Sequence, residues 1–304
     1  MKSSTSFYTY SKIILVAVFL VIVAGGVVRM TQSGMGCPDW PKCFGMWIPP
    51  TDASQLPADY ESYLKQQDIE HSFNVFHTWT EYINRLLGAL LGLLLIIQFG
   101  WSLKYWKTDR RIVWLCLGLL LLTGVQGWLG KRVVDANLET VKITTHMLVA
   151  ILIAALALTI IHYLAPGQLY KNRRLRDVTL LTLLFVVLQI VFGTAVREQI
   201  DSISKALNYE NRGQWIGKLD YIFYVHRSFS LIIAVLCLYI YFQFKKSGIP
   251  LLSTWLIVFC VFSEIALGIV MANLEIPALA QPLHLLFSTV LFVALYNNWL
   301  KTTA

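Results

Sequence analysis

Eight separate stretches of this chain are each long and apolar enough to cross a lipid bilayer, and that restricts the fold more than any motif does. They lie at about 11–29, 76–101, 111–130, 142–164, 177–196, 221–244, 251–272 and 280–300. A hydrocarbon core of about 30 Å takes roughly 20 apolar residues in helical form. In lipid the backbone of each segment must satisfy its own hydrogen bonds, so such runs are read as helices. Only 14% of the residues are charged and 57% are hydrophobic, against about 25% charged in an ordinary soluble domain. With eight spans taken from 304 residues, no large soluble catalytic domain fits. The expected class is all-α, a polytopic membrane protein with eight transmembrane helices.

The basic residues give this layout a direction. Lys2, Lys12, Lys104, Lys107, Arg110, Arg111, Lys171, Arg173, Arg174, Arg176, Lys245, Lys246 and Lys301 fall on one side of the alternating spans, diluted only by Asp109 and Asp177. The other side mixes Lys42, Lys65, Lys131, Arg132 and Lys205 with Asp39, Asp52, Asp59, Glu61, Asp68, Glu70, Asp135, Glu139, Glu198, Asp201, Glu210 and Asp220. The positive-inside rule then puts both termini in the cytoplasm of a cell-membrane protein. The net charge of +8 is thereby explained as topology, and nucleic acid is not expected as a partner. The first run has the look of a signal peptide, but Arg29 follows it without a small-residue cleavage pattern, so a retained helix is expected.

The longest connection, from about Met30 to Val75, lies on the outer side and opens with Thr31-Gln-Ser-Gly-Met-Gly-Cys37-Pro-Asp-Trp-Pro-Lys-Cys43-Phe-Gly45. Long loops of this kind tend to be functional. Cys37 and Cys43, framed by Pro38 and Pro41, can close a small disulfide ring in an oxidising compartment. A structural staple is the plainer reading and a redox-active pair the sharper one. Cys116, Cys237 and Cys260 lie inside apolar runs and read as packing residues.

An internal repeat organises the remainder. Asn84-Arg85 of the second run aligns with His226-Arg227 of the sixth, so that runs one to four match runs five to eight. Gly25-Gly-Val-Val-Arg29 ends the first run and Gly193-Thr-Ala-Val-Arg197 the fifth with the same Gly-to-Arg spacing, and Gln126-Gly-Trp-Leu-Gly130 corresponds to Glu264-Ile-Ala-Leu-Gly268. Ala136-Asn137-Leu138 and Ala272-Asn273-Leu274 follow, and then His146 and His284. Two tandem four-helix bundles are expected, residues 1–170 with the long outer loop and residues 171–304.

His146, His226 and His284 all fall in the first turns of their helices, at the outer end, where ionisable groups are costly and point to function. Two imidazoles on facing helices of a bundle can take both axial positions of a haem iron, which makes His226 and His284 a candidate haem b pair. Zinc asks for three or four convergent ligands. In the first half Asn84 stands opposite His146, and Asn is a poor haem ligand. That site is either five-coordinate through His146 or uses another residue, with His77, two turns outward on nearly the same face, as a shifted ligand; His71 reads as a loop residue, and His162, without a repeat partner, as interfacial. Glu81 is the one carboxylate near the outer end of the second run. It is read either as an i,i+4 salt bridge to Arg85 or as a general base or charge stabiliser beside bound haem. Arg29, Arg85, Arg197 and Arg227 are candidates for pairing haem propionates or for snorkelling to headgroups.

Taken together, Glu81-Tyr-x-x-Arg85, the Gly34-x-Gly-Cys-Pro-Asp-Trp-Pro-x-Cys43 loop, the doubled layout and His146, His226 and His284 resemble the haem A synthase family over essentially the whole chain. The resemblance implies oxidation of the C8 methyl of haem O to a formyl group, making haem A for terminal oxidases. It also implies a substrate haem in the first half and a resident haem b in the second. Glu81 would be the catalytic glutamate, His226 and His284 the haem b ligands, and His146 a substrate-haem ligand. Cys37 and Cys43 match the family's outer-loop cysteine pair. A haem O synthase as donor, terminal oxidase assembly, the lipid bilayer and an unidentified electron acceptor are the partners implied. Two departures stand out: Asn84 replaces the family's usual His, and no second cysteine pair lies between Arg197 and Asp220. The alternative is a non-catalytic dihaem electron-transfer protein of the same fold; a small-molecule transporter is the generic reading of two repeated bundles.

Overall fold

A computed structural model describes residues 5–64, 73–135, 140–165, 167, 169–247 and 252–303. Lys2, Lys65, Asp68, Glu70, His71, Ala136, Asn137, Leu138 and Glu139, all used in the sequence reading, lie outside the described residues. Among those described, eight helices are long and apolar enough to cross a membrane. They are α1 (Thr5–Met30), α3 (Val75–Ser102), α4 (Arg110–Asp135), α5 (Thr140–Leu164), α6 (Arg173–Ala206), α7 (Tyr221–Lys246), α8 (Leu252–Asn273) and α9 (Ala280–Lys301); a short α2 (Tyr60–Leu64) sits in the long loop. The chain is an all-α polytopic membrane protein. Among the described residues the one sheet is a parallel pair of two-residue strands, β1 (Tyr170–Lys171) with β2 (Thr302–Thr303).

The long helices turn large apolar side chains outward. Leu20, Leu121, Leu184, Val235 and Ile269 are each more than half exposed, a surface suited to lipid and costly in water. Several buried hydroxyls are satisfied within their own helices. Ser11, Thr179, Thr182 and Thr289 donate to carbonyls four residues back in their own helices, while Gln98 Nε2 donates to Ser11 Oγ across from α3 to α1 at 3.1 Å.

Two compact units result, Thr5–Ala157 and Leu158–Ala304, and the boundary falls within α5. In the first, α3 packs on α1 and on α4. In the second, α6 packs on α7, α7 on α8, α8 on α9, and α9 back on α6, a closed ring of four helices.

Helix starts follow capping chemistry. Asn74 Oδ1 accepts the His77 amide at the start of α3, Asn172 Oδ1 that of Leu175 on α6, and Asp220 Oδ1 that of Ile222 on α7. The main departure from the apolar runs is α6, which continues to Ala206 over 34 residues, about 50 Å at the usual helical rise. Its extension is held by an amphipathic stripe. Val196, Ile200, Ile203 and Leu207 recur at helical spacing and pack on Trp215, Leu219 and Ile276.

In the long loop Cys37 and Cys43 are disulfide-bonded with Cα atoms 4.9 Å apart, and Cys43 pairs with Met46 through two backbone hydrogen bonds. Both half-cystines and Phe44 are buried, packed with Met46, Leu56, Tyr63, Phe73 and Tyr82. The loop carries a small core of its own. Cys116, Cys237 and Cys260 are free and buried, consistent with packing roles.

Candidate functional site

The first unit builds its site on the opening turns of α3. The i,i+4 spacing brings Arg85 onto Glu81, and the guanidinium donates to Oε1 through both Nε, at 3.1 Å, and Nη2. The other carboxylate oxygen, Oε2, accepts the backbone amide of Cys37 at 2.9 Å. Arg85 also donates to three loop carbonyls: Asp39 at 2.6 Å, Lys42 at 2.9 Å and Cys37 at 3.0 Å. The salt-bridge reading of Glu81 is thus present in the structure, but it is one part of a larger clamp. Glu81 is 4% exposed, and Arg85 spends its donors on Glu81 and the loop rather than snorkelling.

Loop and helix meet closely at Gly36. A Cβ there would lie 2.4 Å from the carbonyl carbon and oxygen of His77, so only glycine lets the loop backbone touch α3. Thr78 Oγ1 fastens the contact by donating to the Gly36 carbonyl at 2.8 Å. Farther along, Trp79 Nε1 donates to Pro50 O and Tyr82 Oη to Trp47 O. Asn84 Oδ1 is buried without a hydrogen-bond partner. His77, half-buried one turn before Glu81, has its ring beside Phe76.

His146 is held on α5 against α4. Gln126 Nε2 donates to the His146 carbonyl at 3.0 Å, and Gly130 lies beside the ring, where a Cβ would meet His146 Cε1 at an ordinary contact distance of 3.4 Å. Its Nδ1 is buried and unpartnered.

In the second unit His226 on α7 and His284 on α9 face one another with ring centroids 6.4 Å apart. Two metal–imidazole bonds of about 2 Å, plus the half-width of each ring, give roughly this separation. Nδ1 of His226 is buried without a hydrogen bond, an expense that a bound group relieves by engaging or turning the ring. The neighbours are shaped for the rings as well. A Cβ on Gly193 would lie 3.1 Å from His226 Cε1, and Gln189 Nε2 donates to the His226 carbonyl at 2.9 Å. Glu264 Oε2 lies 3.2 Å from His284 Nδ1. Among the described residues no cluster of three or more His, Cys, Asp or Glu side chains forms a metal cage, whereas a haem asks for only one or two axial ligands.

The candidate arginines part company here. Arg227 is exposed and lies over Tyr224, 5.2 Å from the ring centroid. Arg197 reaches Gln281 Oε1 and, at 2.9 Å, Asp201 Oδ1. Neither repeats the grip of Arg85 on a loop. Gly193, Gln189, Gln126 and Glu264 were not singled out as site residues by their sequence. Gly193, Gln126 and Glu264 were visible only as repeat positions, and Gln189 carried no signal.

A family model described as cytochrome oxidase assembly protein, COX15-CtaA, matches residues 8–296. A heme A synthase of Flavobacterium johnsoniae is 24% identical over 322 aligned residues, covering 92% of this chain and 93% of that protein. One from Flavobacterium psychrophilum is 24% identical across 88% of this chain and 89% of its own. Another, from Caulobacter sp. strain K31, is 33% identical over a shorter stretch, 48% of this chain and 45% of that protein.

Proposed function

The chain belongs to the COX15-CtaA family of cytochrome oxidase assembly proteins, and from that premise we propose that it is a haem A synthase, an oxidoreductase that converts the C8 methyl of haem O to a formyl group. The observation that carries this reading is the facing pair His226 and His284, with ring centroids 6.4 Å apart and Nδ1 of His226 buried and unpartnered. These would hold a resident haem b, and His146 would hold the substrate haem, with His77 as a shifted second ligand or none, given Asn84. Bound haem supplies the redox-active iron. The protein supplies position, charge and dryness.

Glu81 is the residue best placed to handle charge. A carboxylate offers about four acceptor sites, and Arg85 and the Cys37 amide take three. The carboxylate, also engaged by the Gly36 amide, would take a proton lost from the substrate methyl or face positive charge that develops there. The clamp fixes its direction, because the carboxylate cannot rotate without breaking contact with both the helix and the loop.

On this reading the two units derive from a duplicated four-helix bundle, residues 1–170 and 171–304, a layout supported by the closed ring of α6 to α9 and by the recurrence of the sequence landmarks in the same order. The termini are cytoplasmic and both haem sites lie toward the outer face of the cell membrane. Haem O arrives from its synthase, haem A leaves for terminal oxidase assembly, and electrons pass to an acceptor outside the chain.

Expression in a haem O-producing host lacking its own haem A synthase, followed by haem extraction and chromatography, tests the activity. Haem A should appear with the wild-type chain, and its absence overturns the proposal. A second reading, a dihaem electron carrier, is favoured by the extent to which Glu81 is occupied in holding the loop and by Asn84 at a would-be ligand position. The wild-type extraction separates the two, because a carrier would bind haem without yielding haem A, and Glu81→Gln then tests the glutamate. Haem A should fall at least a hundredfold if Glu81 is catalytic, while an unchanged yield assigns the glutamate to structure.

A further inference from the structure

Glu264 lies on α8, well inside an apolar span. A carboxylate there is expensive and needs a reason. Its Oε1 is buried with no hydrogen-bond partner, and its Oε2 lies 3.2 Å from Nδ1 of His284. With its side chain 16% exposed against 26% for His284, it is not a group reaching for water. The aligned position in the first half is Gln126, which is neutral and uses its amide on the backbone carbonyl of His146 rather than on the ring. The two halves therefore differ by a carboxylate directed at one candidate ligand.

We propose that Glu264 is a positioning residue for His284: its carboxylate takes the imidazole Nδ1–H, leaves Nε2 free for the iron, and lowers the reduction potential of the haem held by this bundle. The proposal rests on the assignment of His226 and His284 as haem ligands. Its physical basis is general. The two nitrogens of an imidazole are distinct, and a carboxylate hydrogen-bonded to one fixes the tautomer and raises the basicity of the other. A more basic ligand with a negative charge behind it favours the ferric over the ferrous state. Gln at this position would hold the ring without the charge, which makes charge and orientation separable by substitution.

The test is a reductive titration of the purified haem-loaded protein, followed through the visible absorption bands, with resonance Raman spectra of the same samples. Glu264→Gln should retain haem while the ferrous-to-ferric ratio at fixed poise rises about tenfold, equivalent to about 59 mV for one electron. A wild-type potential together with an unchanged spectrum overturns the proposal. Should that variant fail to accumulate, Glu264→Asp decides. It draws the carboxylate back by one methylene, and the potential should move in the same direction; no movement is again fatal. His284→Ala separates the assumption from the proposal. Loss of the second-half haem supports the ligand assignment, and full retention of its spectrum removes that assignment and the role of Glu264 with it.

Discussion

Gly193 shows how much of a site can depend on a missing side chain. The helix would be better formed with alanine, yet a Cβ at this position would press to 3.1 Å on the His226 ring. A contact that tight requires the ring to give by a few tenths of an ångström, and a branched side chain would require far more. Gly193→Val is therefore expected to displace His226 at a cost of about 1–3 kcal/mol, a roughly ten- to hundredfold weaker hold on haem; Gly193→Ala should lose much less. Haem absorbance per mole of purified protein measures this, and a Val variant with full wild-type absorbance would refute it. None of this was readable from the sequence, where Gly193 counted only as half of a repeated landmark. The Glu81–Arg85 pair was readable, because i,i+4 spacing on a helix implies contact. The three loop carbonyls that Arg85 also binds were not, because their position depends on how a ring of Cys, Pro and Gly residues folds against α3.

At the level of elements, the loop after α1 behaves as an attached part of α3. Its half-cystines and Phe44 make a local core, while Gly36, Thr78, Glu81 and Arg85 join that core to the helix. Arg85→Ala removes the partner of a buried carboxylate and leaves three carbonyls short of a donor, a change of the kind that costs about 3–5 kcal/mol. Limited proteolysis should then cut within residues 31–64 far faster than in the wild type, with the spans intact; equal cleavage would mean that Arg85 does not hold the loop. Hydropathy located all eight long helices to within a few residues, with one informative exception. The extension of α6 to Ala206 was missed because the run of apolar residues ends near Val196, whereas the helix continues on a one-sided stripe that includes Ile200, Ile203 and Leu207. Continuous apolarity marks what lipid requires, and only periodicity marks what packing adds.

For the whole molecule, the distribution of charge sets the sidedness that every functional statement presupposes. A substrate haem can be received at the outer face only if the disulfide-bearing loop is outside, and a Cys37–Cys43 bond is itself what an oxidising compartment allows. Lys104, Lys107, Arg110 and Arg111 after α3 and Arg173, Arg174 and Arg176 at the start of α6 oppose translocation of those connections. On the proposed topology, the eight spans among the described residues would return the C-terminus to the side of the N-terminus. A fluorescent protein fused after Ala304 should mature and fluoresce, since it folds in the cytoplasm, and alkaline phosphatase inserted after Thr51 should be active, since it needs export to form its disulfides. The reverse pattern would place the Cys37–Cys43 loop on the reducing side, where the disulfide could not stand, and would overturn the proposed sidedness. Replacing Arg173, Arg174 and Arg176 together with neutral residues weakens the bias locally. The insertion at Thr51 should nonetheless stay exported, because the cluster between α3 and α4 still holds the first half in place.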